Sequence, residues 1–152
     1  MLSTCLYNSP VGNIGLLKKD ENLISLSFTD TRFKALKTKI DPPSFKKIIT
    51  QLNEYFFEGR KNFDIEFDLS TSKFKEKVYT EMLKIPYGKS LSYSDLAMKA
   101  GSPRAFRAVG TACGRNPIPI IIPCHRVKAK SGLGGFTGGL HIKKFLLMLE
   151  SN

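Results

Sequence analysis

Tryptophan is absent from this chain of 152 residues, histidine occurs twice and cysteine three times. The cysteines, Cys5, Cys113 and Cys124, are odd in number and far apart. That suits neither a disulfide framework nor paired metal ligands, so each thiol has to be judged singly. No CxxC, HxxxH or HExxH spacing occurs, and no metal site is expected. The glycine-rich stretch at 131–139 lacks the GxxxxGK[ST] of a phosphate-binding loop, and a mobile, close-packing wall for a flat ligand fits it better. No apolar run approaches the roughly 18 residues of a membrane span. Residues 1–10 lack the basic start and apolar core of a secretory signal. The expectation is therefore an intracellular, cytoplasmic protein, nuclear if the cell is eukaryotic.

What the chain has in excess is positive charge, a net +11. Its distribution is uneven. Residues 1–70 carry 10 Lys/Arg against 9 Asp/Glu, whereas residues 71–152 carry 14 against 4. A surplus confined to one half is the footprint of a nucleic-acid partner more than of solubility.

The two halves also differ in pattern. Short apolar or alternating runs at 4–7, 14–18 and 23–28, separated by turn residues, predict a small sheet. From Pro43 the period becomes helical, with Phe45, Ile48, Ile49, Leu52 and Phe56 on one face and Gly59 as a stop. Residues 60–69 alternate weakly, as a strand or linker. The polar run at 68–72 reads as a domain junction and helix N-cap, placing the boundary near residue 70.

Beyond it, Phe74, Val78, Met82 and Leu83 predict a helix ended by Pro86 and Gly88. A short helix capped by Ser92 or Ser94, a turn at Gly101-Ser102-Pro103 and a second helix over 103–113 make a helix-turn-helix pattern. Three prolines within 117–123 predict an extended segment, and its isoleucines predict burial. A last helix over 140–150 would turn Ile142, Phe145, Leu146 and Leu149 inward.

Cys124 ends that buried segment, at the floor of a cleft. Cys5 and Cys113 read as structural thiols. At Cys124 the neighbours His125 and Arg126 would supply the positive surroundings that lower a thiol's pKa. Adjacent residues of an extended chain point apart, so His125 could serve as base only through a tight turn or a bridging water. Its orienting acceptor, by scarcity, is Glu150, the one acidic residue after Asp95. His141 is the alternative base.

These residues carry a family resemblance. Pro123-Cys124-His125-Arg126-Val127, the upstream Arg107-Ala108-Val109-Gly110 and Asn116-Pro117, Ser92-Tyr93 after Ile85-Pro86-Tyr87-Gly88, and Gly138-Gly139-Leu140 with Leu146-Leu147 and Glu150 resemble the O6-alkylguanine-DNA alkyltransferases. The match spans 74–150, and residues 1–70 match in architecture alone.

The resemblance implies a ribonuclease H-like α/β domain over 1–70, made of a small sheet plus a helix. A mostly α-helical domain with the helix-turn-helix would follow over 71–152, binding DNA and carrying the chemistry. It implies a monomer acting on double-stranded DNA that carries O6-alkylguanine, without a cofactor. In a single turnover, Cys124 would take the alkyl group irreversibly from the flipped-out guanine, with alkylated O4 of thymine as a further substrate. His125 would be the base, Glu150 its orienting carboxylate, and Tyr93 a donor to the departing guanine. Asn116 would tie the recognition helix to the active-site turn. Arg107 would enter the stack through the minor groove, with Arg104, Ala105, Ala108 and Arg115 also at the DNA. Val127, Gly135, Phe136 and Thr137 would line the pocket. The loop departs from the family in carrying Phe136-Thr137 where tyrosine and serine are often found, and in being one residue shorter after Gly132. The zinc site of some members has only Cys5 to build on here, and none is expected. A non-catalytic relative that binds alkylated DNA, a repeatedly acting cysteine hydrolase and a plain helix-turn-helix regulator remain the competing readings; in the first the acceptor cysteine is commonly replaced by tryptophan, and the presence of Cys124 and absence of tryptophan speak against it.

Overall fold

The computed structural model describes residues 1–28, 39–40 and 42–151. The chain forms two compact units, Met1–Leu69 and Ser70–Asn152.

In the first unit, β1 (Leu2–Ser9), β2 (Gly12–Lys19) and β3 (Asn22–Ser27) form an antiparallel meander, and β4 (Lys39–Ile40) adds to β1 in parallel. The sheet order is β3-β2-β1-β4. Alternation along β1 sends Ser3, Cys5 and Tyr7 inward, whereas β2 is buried from Ile14 to Lys18, as befits an inner strand. Helix α1 (Lys46–Glu58) buries Ile48, Leu52, Tyr55 and Phe56, and Gly59 caps it. Its buried Gln51 holds the following segment through both side-chain atoms, donating to Asp64 O at 2.9 Å and accepting from Asp64 N at 2.8 Å. Residues 60–69 form no strand. A single parallel bridge, Leu23 to Phe67, joins them to β3.

The second unit begins with α2 (Lys73–Leu83), capped by Ser72, whose side chain accepts from Lys75 N. Val78, Tyr79 and Met82 are buried, but Leu83 is 43% exposed, falling outside the i, i+4 stripe. β5 (Leu91–Ser92) leads into α3 (Tyr93–Lys99), capped by Ser92. Gly101, at φ 79°, turns the chain toward α4 (Phe106–Gly114), completing the helix-turn-helix. The expected start of α4 at Pro103 is three residues too early, because residues 103–104 remain in the turn. Tyr79 Oη donates to Ala112 O at 2.8 Å and pins α2 to the end of α4.

The segment 116–123 is buried from Ile118 onward, as its isoleucines predict, but it is not extended. It doubles back, with Ile122 N donating to Ile118 O at 3.0 Å and Ile120 at φ 75°. The prolines exclude helix without excluding a turn. β6 (Val127–Lys128) pairs with β5 in parallel, and α5 (Leu140–Glu150) ends the unit. Its inward face is Ile142, Lys143, Leu146 and Glu150, while Phe145 is 38% exposed.

Candidate active site

A run of tight turns positions Cys124. Pro123 sits at φ −81°, ψ 67°, and Cys124 N donates to Ile122 O at 2.8 Å, an inverse γ-turn that proline's fixed φ suits. A single 3₁₀ turn, Cys124–Arg126, follows. With three residues per turn, consecutive side chains leave in three directions. Cys124 faces a cavity of about 330 Å³. His125 and Arg126 meet Glu150 on α5.

The Glu150 carboxylate is held on both oxygens. His125 Nε2 lies 2.6 Å from Oε2, Arg126 donates through Nε to Oε1 at 2.8 Å and through Nη2 to Oε2 at 3.1 Å, and Gly88 N donates to Oε1 at 3.4 Å. Arg126 Nη1 also donates to Ile85 O at 2.7 Å. With the carboxylate accepting at Nε2, the imidazole proton resides there and Nδ1 keeps its lone pair. Nδ1 is buried and has no hydrogen-bond partner among the described residues. Burial holds the His125 pKa below its ordinary value, against the upward pull of Glu150. The ring is therefore a neutral base at neutral pH.

The thiol's surroundings overturn one expectation. Burial pushes the Cys124 pKa up to about 11, and the smaller downward pulls come from the Asn116 side chain and Lys143. Neither sequence neighbour supplies the cation, because His125 is neutral and Arg126 is committed to Glu150. Lys143 is fully buried, and its ammonium donates to the carbonyls of Val127, Leu133 and Gly135 at 2.7, 2.5 and 3.1 Å. Sequence reading missed this residue. The available signal was a lysine on the apolar face of α5, next to Ile142 and seven residues before Glu150.

The cavity gathers Tyr93, Cys124, Gly135, Phe136 and Thr137 with Gly110, Cys113 and Gly114 of α4. Cys113, a buried thiol on α4, is thus also part of the cavity lining, and burial raises its pKa to about 12. Tyr93 opens α3, and burial is the main cause raising its hydroxyl's pKa. Gly134, at φ 72°, lies so close that a Cβ there would stand 2.7 Å from Tyr93 Oη. Thr137 Oγ1 donates to Gly114 O, joining the glycine-rich loop to the end of α4. Asn116 donates to Ile122 O at 2.8 Å and accepts from Ile118 N at 3.1 Å, which ties the end of α4 to the turn before Cys124. Val127 is buried, but it is not among the residues lining the cavity, and its carbonyl accepts from Lys143.

Arg104, Arg107, Ala108 and Arg115 are exposed on or beside α4, and Ala105 is half-buried at its start. His141 is exposed at the start of α5, away from the cavity lining. Among the described residues no group of three or more His, Cys, Asp or Glu could hold a metal ion, and no helix is long and apolar enough to cross a membrane.

Comparison with known proteins adds likenesses of three kinds. Residues 3–69 match the family described as 6-O-methylguanine DNA methyltransferase, ribonuclease-like domain, and residues 73–152 its DNA binding domain. The chain is 42% identical over 153 residues to the methylated-DNA–protein-cysteine methyltransferase of Mycolicibacterium paratuberculosis, covering 99% of this chain and 93% of that one. To its namesake in Metallosphaera sedula it is 40% identical over 147 residues, with 96% and 91% covered. The crystal structure of Mycobacterium tuberculosis OGT in complex with DNA superposes with a TM-score of 0.90 at 40% identity, covering 99% of this chain and 92% of that chain.

Proposed function

This chain belongs to the 6-O-methylguanine DNA methyltransferase family, and on that premise we infer which of its residues carry out direct-reversal repair. The function is transfer of an alkyl group from O6 of guanine in DNA to a cysteine of the protein. Cys124 is that acceptor. The observation carrying this assignment is a thiol lining a cavity next to the buried His125–Glu150 pair. Residues 71–152 form the DNA-binding and alkyl-accepting domain, and residues 1–70 the sheet-and-helix domain. The protein works as a monomer, in the cytoplasm or, in a eukaryotic cell, in the nucleus.

A thiol with a pKa of about 11 is ionised in only roughly one molecule in 10⁴ at neutral pH, so its proton has to leave in step with the attack. His125 Nδ1 receives it through a bridging water, and Glu150 stabilises the imidazolium that forms. The sulfur's electron pair forms the S–C bond as the C–O6 bond breaks, and the electrons of that bond pass to the guanine. The guanine recovers a proton, so the products are a neutral base and a thioether. Tyr93 donates to the base as negative charge develops on it. Asn116 holds the turn. Gly135, Phe136 and Thr137 form the wall against which the flipped base lies. Arg107 enters the duplex from the minor groove, while Arg104 and Arg115 meet phosphates and the small Ala105 and Ala108 allow close approach.

The alkyl group arrives with the DNA, so the transfer calls for no cofactor. A thioether is not reversed by thiol exchange, and one turnover per molecule follows. O4-alkylthymine presents the same alkyl–oxygen bond and is a second substrate on this chemistry. The test is the intact mass of the protein after mixing with a duplex containing O6-methylguanine. A stoichiometric gain of one CH₂, lost in Cys124→Ser, is expected. Repeated turnover or an unchanged mass would sink the assignment.

A further inference from the structure

Glu150 is the last residue of α5, an unfavourable place for a buried carboxylate. Helix ends fray, and the negative end of the helix dipole disfavours an anion. Yet the Glu150 side chain is 1% exposed, and it fixes the state of His125. The turn that follows α2, Pro86 to Lys89, meets it there. Lys89 N donates to Pro86 O at 3.0 Å and Gly88 has φ 79°, the value a type II turn requires at its third residue. A Cβ at Gly88 would lie 3.1 Å from Glu150 O, so glycine is also what lets the turn rest on the helix end. Gly88 N donates to Glu150 Oε1 at 3.4 Å, and Ile85 O, just before the turn, accepts from Arg126 Nη1 at 2.7 Å.

Tyr87 touches both sides of the ion pair. Its hydroxyl donates at 3.4 Å to Leu149 O, in the last turn of α5, where carbonyls lack helical N–H partners. Its ring centroid lies 5.8 Å from the guanidinium carbon of Arg126, within reach of a cation–π contact. Tyr87 is half-buried, whereas Pro86, Gly88 and Lys89 are exposed. Its side chain therefore covers the Arg126–Glu150 pair on the side of this turn.

We propose that the turn 86–89 clamps the C-terminal end of α5 and that Tyr87 is a positioning residue for the methyl transfer, keeping Glu150 and Arg126 in register with His125. The proposal rests on the repair reading and deepens it. Tyr87 is not among the residues lining the cavity, so its effect passes through the carboxylate. A ring face suits the task because it covers a guanidinium without competing for its N–H donors. Without that cover, water competes for both charges. A carboxylate that drifts from Nε2 no longer fixes the imidazole proton there, and Nδ1 loses its standing as the acceptor of the thiol's proton.

The test follows methyl uptake by intact mass, with the full chain in excess over a duplex containing O6-methylguanine and its concentration varied. The rate then divides into a maximum and a half-saturating concentration, both expressed per folded protein. Tyr87→Leu is expected to lower the maximum by about 10- to 100-fold, the order of loss that a misplacement of about 1 Å brings. The half-saturating concentration stays as in wild type, because the DNA-facing residues are untouched. Tyr87→Phe keeps the ring on Arg126 and stays within about fivefold of wild type, the worth of one ordinary hydrogen bond. In a Glu150→Gln background, Tyr87→Leu adds a loss of less than about twofold, because the group it positions is already gone. Losses that multiply instead, as at independent sites, overturn the proposal. So does an undiminished maximum in Tyr87→Leu, or a loss confined to the half-saturating concentration. Should the double variant fail to fold, equal losses in Tyr87→Leu and Tyr87→Phe overturn it and the expected difference between them supports it. A wild-type protein that gains no methyl overturns the repair reading itself, and the clamp's catalytic role with it.

Discussion

The two units bury different kinds of side chain. In residues 1–69 the interior is built from Tyr7, Ile14, Leu16, Leu23, Leu26, Phe45, Leu52, Tyr55 and Phe56, with Lys18 and Gln51 bonded to backbone groups. In residues 70–151 the interior also contains His125, Arg126, Lys143 and Glu150. The first core is held mainly by apolar contact, its one buried charge among the described residues, Lys18, donating to Ser44 O. The second takes four ionisable groups out of water and keeps them only because each has partners: Arg126 and His125 on Glu150, and Lys143 on three carbonyls. Apolar packing tolerates loss by degrees, whereas a buried charge network fails when one member goes.

That difference can be broken at either end. The largest effect is expected from Glu150→Gln, which leaves Arg126 without its countercharge and His125 without the carboxylate that fixes its tautomer. Methyl uptake by the folded protein should slow by about 10²–10⁴-fold, and denaturant unfolding should show a loss of about 3–5 kcal/mol. If uptake is unchanged, the pair is structural only. Leu52→Ala makes the matching change in the apolar core. Leu52 is fully buried, so the cost is about 2–5 kcal/mol in the same unfolding measurement. Once corrected for folded protein, the methylation rate should match wild type. A large drop in that corrected rate would mean that the first core also takes part in the chemistry.

The smallest effect is the acid dependence. The folded-state pKa of His125 lies below its unfolded value, so the unfolded chain binds the proton first as pH falls. Its contribution to stability is whole above the ordinary histidine pKa of about 6.5 and is lost as pH drops below it toward the folded value. Unfolding free energies measured from pH 8 to pH 5 should fall in the acid limb, and less steeply in His125→Asn. Methyl uptake should weaken over the same acid range as Nδ1 is protonated. A rate that rises in acid would remove His125 as the base.

Much of the architecture was legible along the chain. The meander, α1, the helix-turn-helix and α5 announced themselves through periodicity, Ser caps and glycine stops, which are local properties. The misreadings have local causes too. Prolines at 117, 119 and 123 forbid helix equally in an extended strand and in a doubled-back loop, and the isoleucine burial that selects the loop is a long-range effect. Phe145 looked like a core residue by type, while Lys143, two positions before it, took the buried place. Type alone favours the aromatic residue, and only the three carbonyls waiting at Val127, Leu133 and Gly135 make the lysine's burial tolerable.

The sequence by itself determined that one thiol, Cys124, stands beside an imidazole and a guanidinium at the end of an apolar run, and that a single late carboxylate, Glu150, is available to them. It also determined the basic half and its helix-turn-helix. Only the tertiary structure decided how those groups divide their work. The 3₁₀ turn sends Cys124 to the cavity and its two neighbours to Glu150. Burial then raises the thiol's pKa, where sequence adjacency had suggested lowering it. The reason is physical: adjacency in a chain fixes distance along the backbone, whereas the energy of a charge depends on the water and partners around it, and those are set by elements far away in sequence.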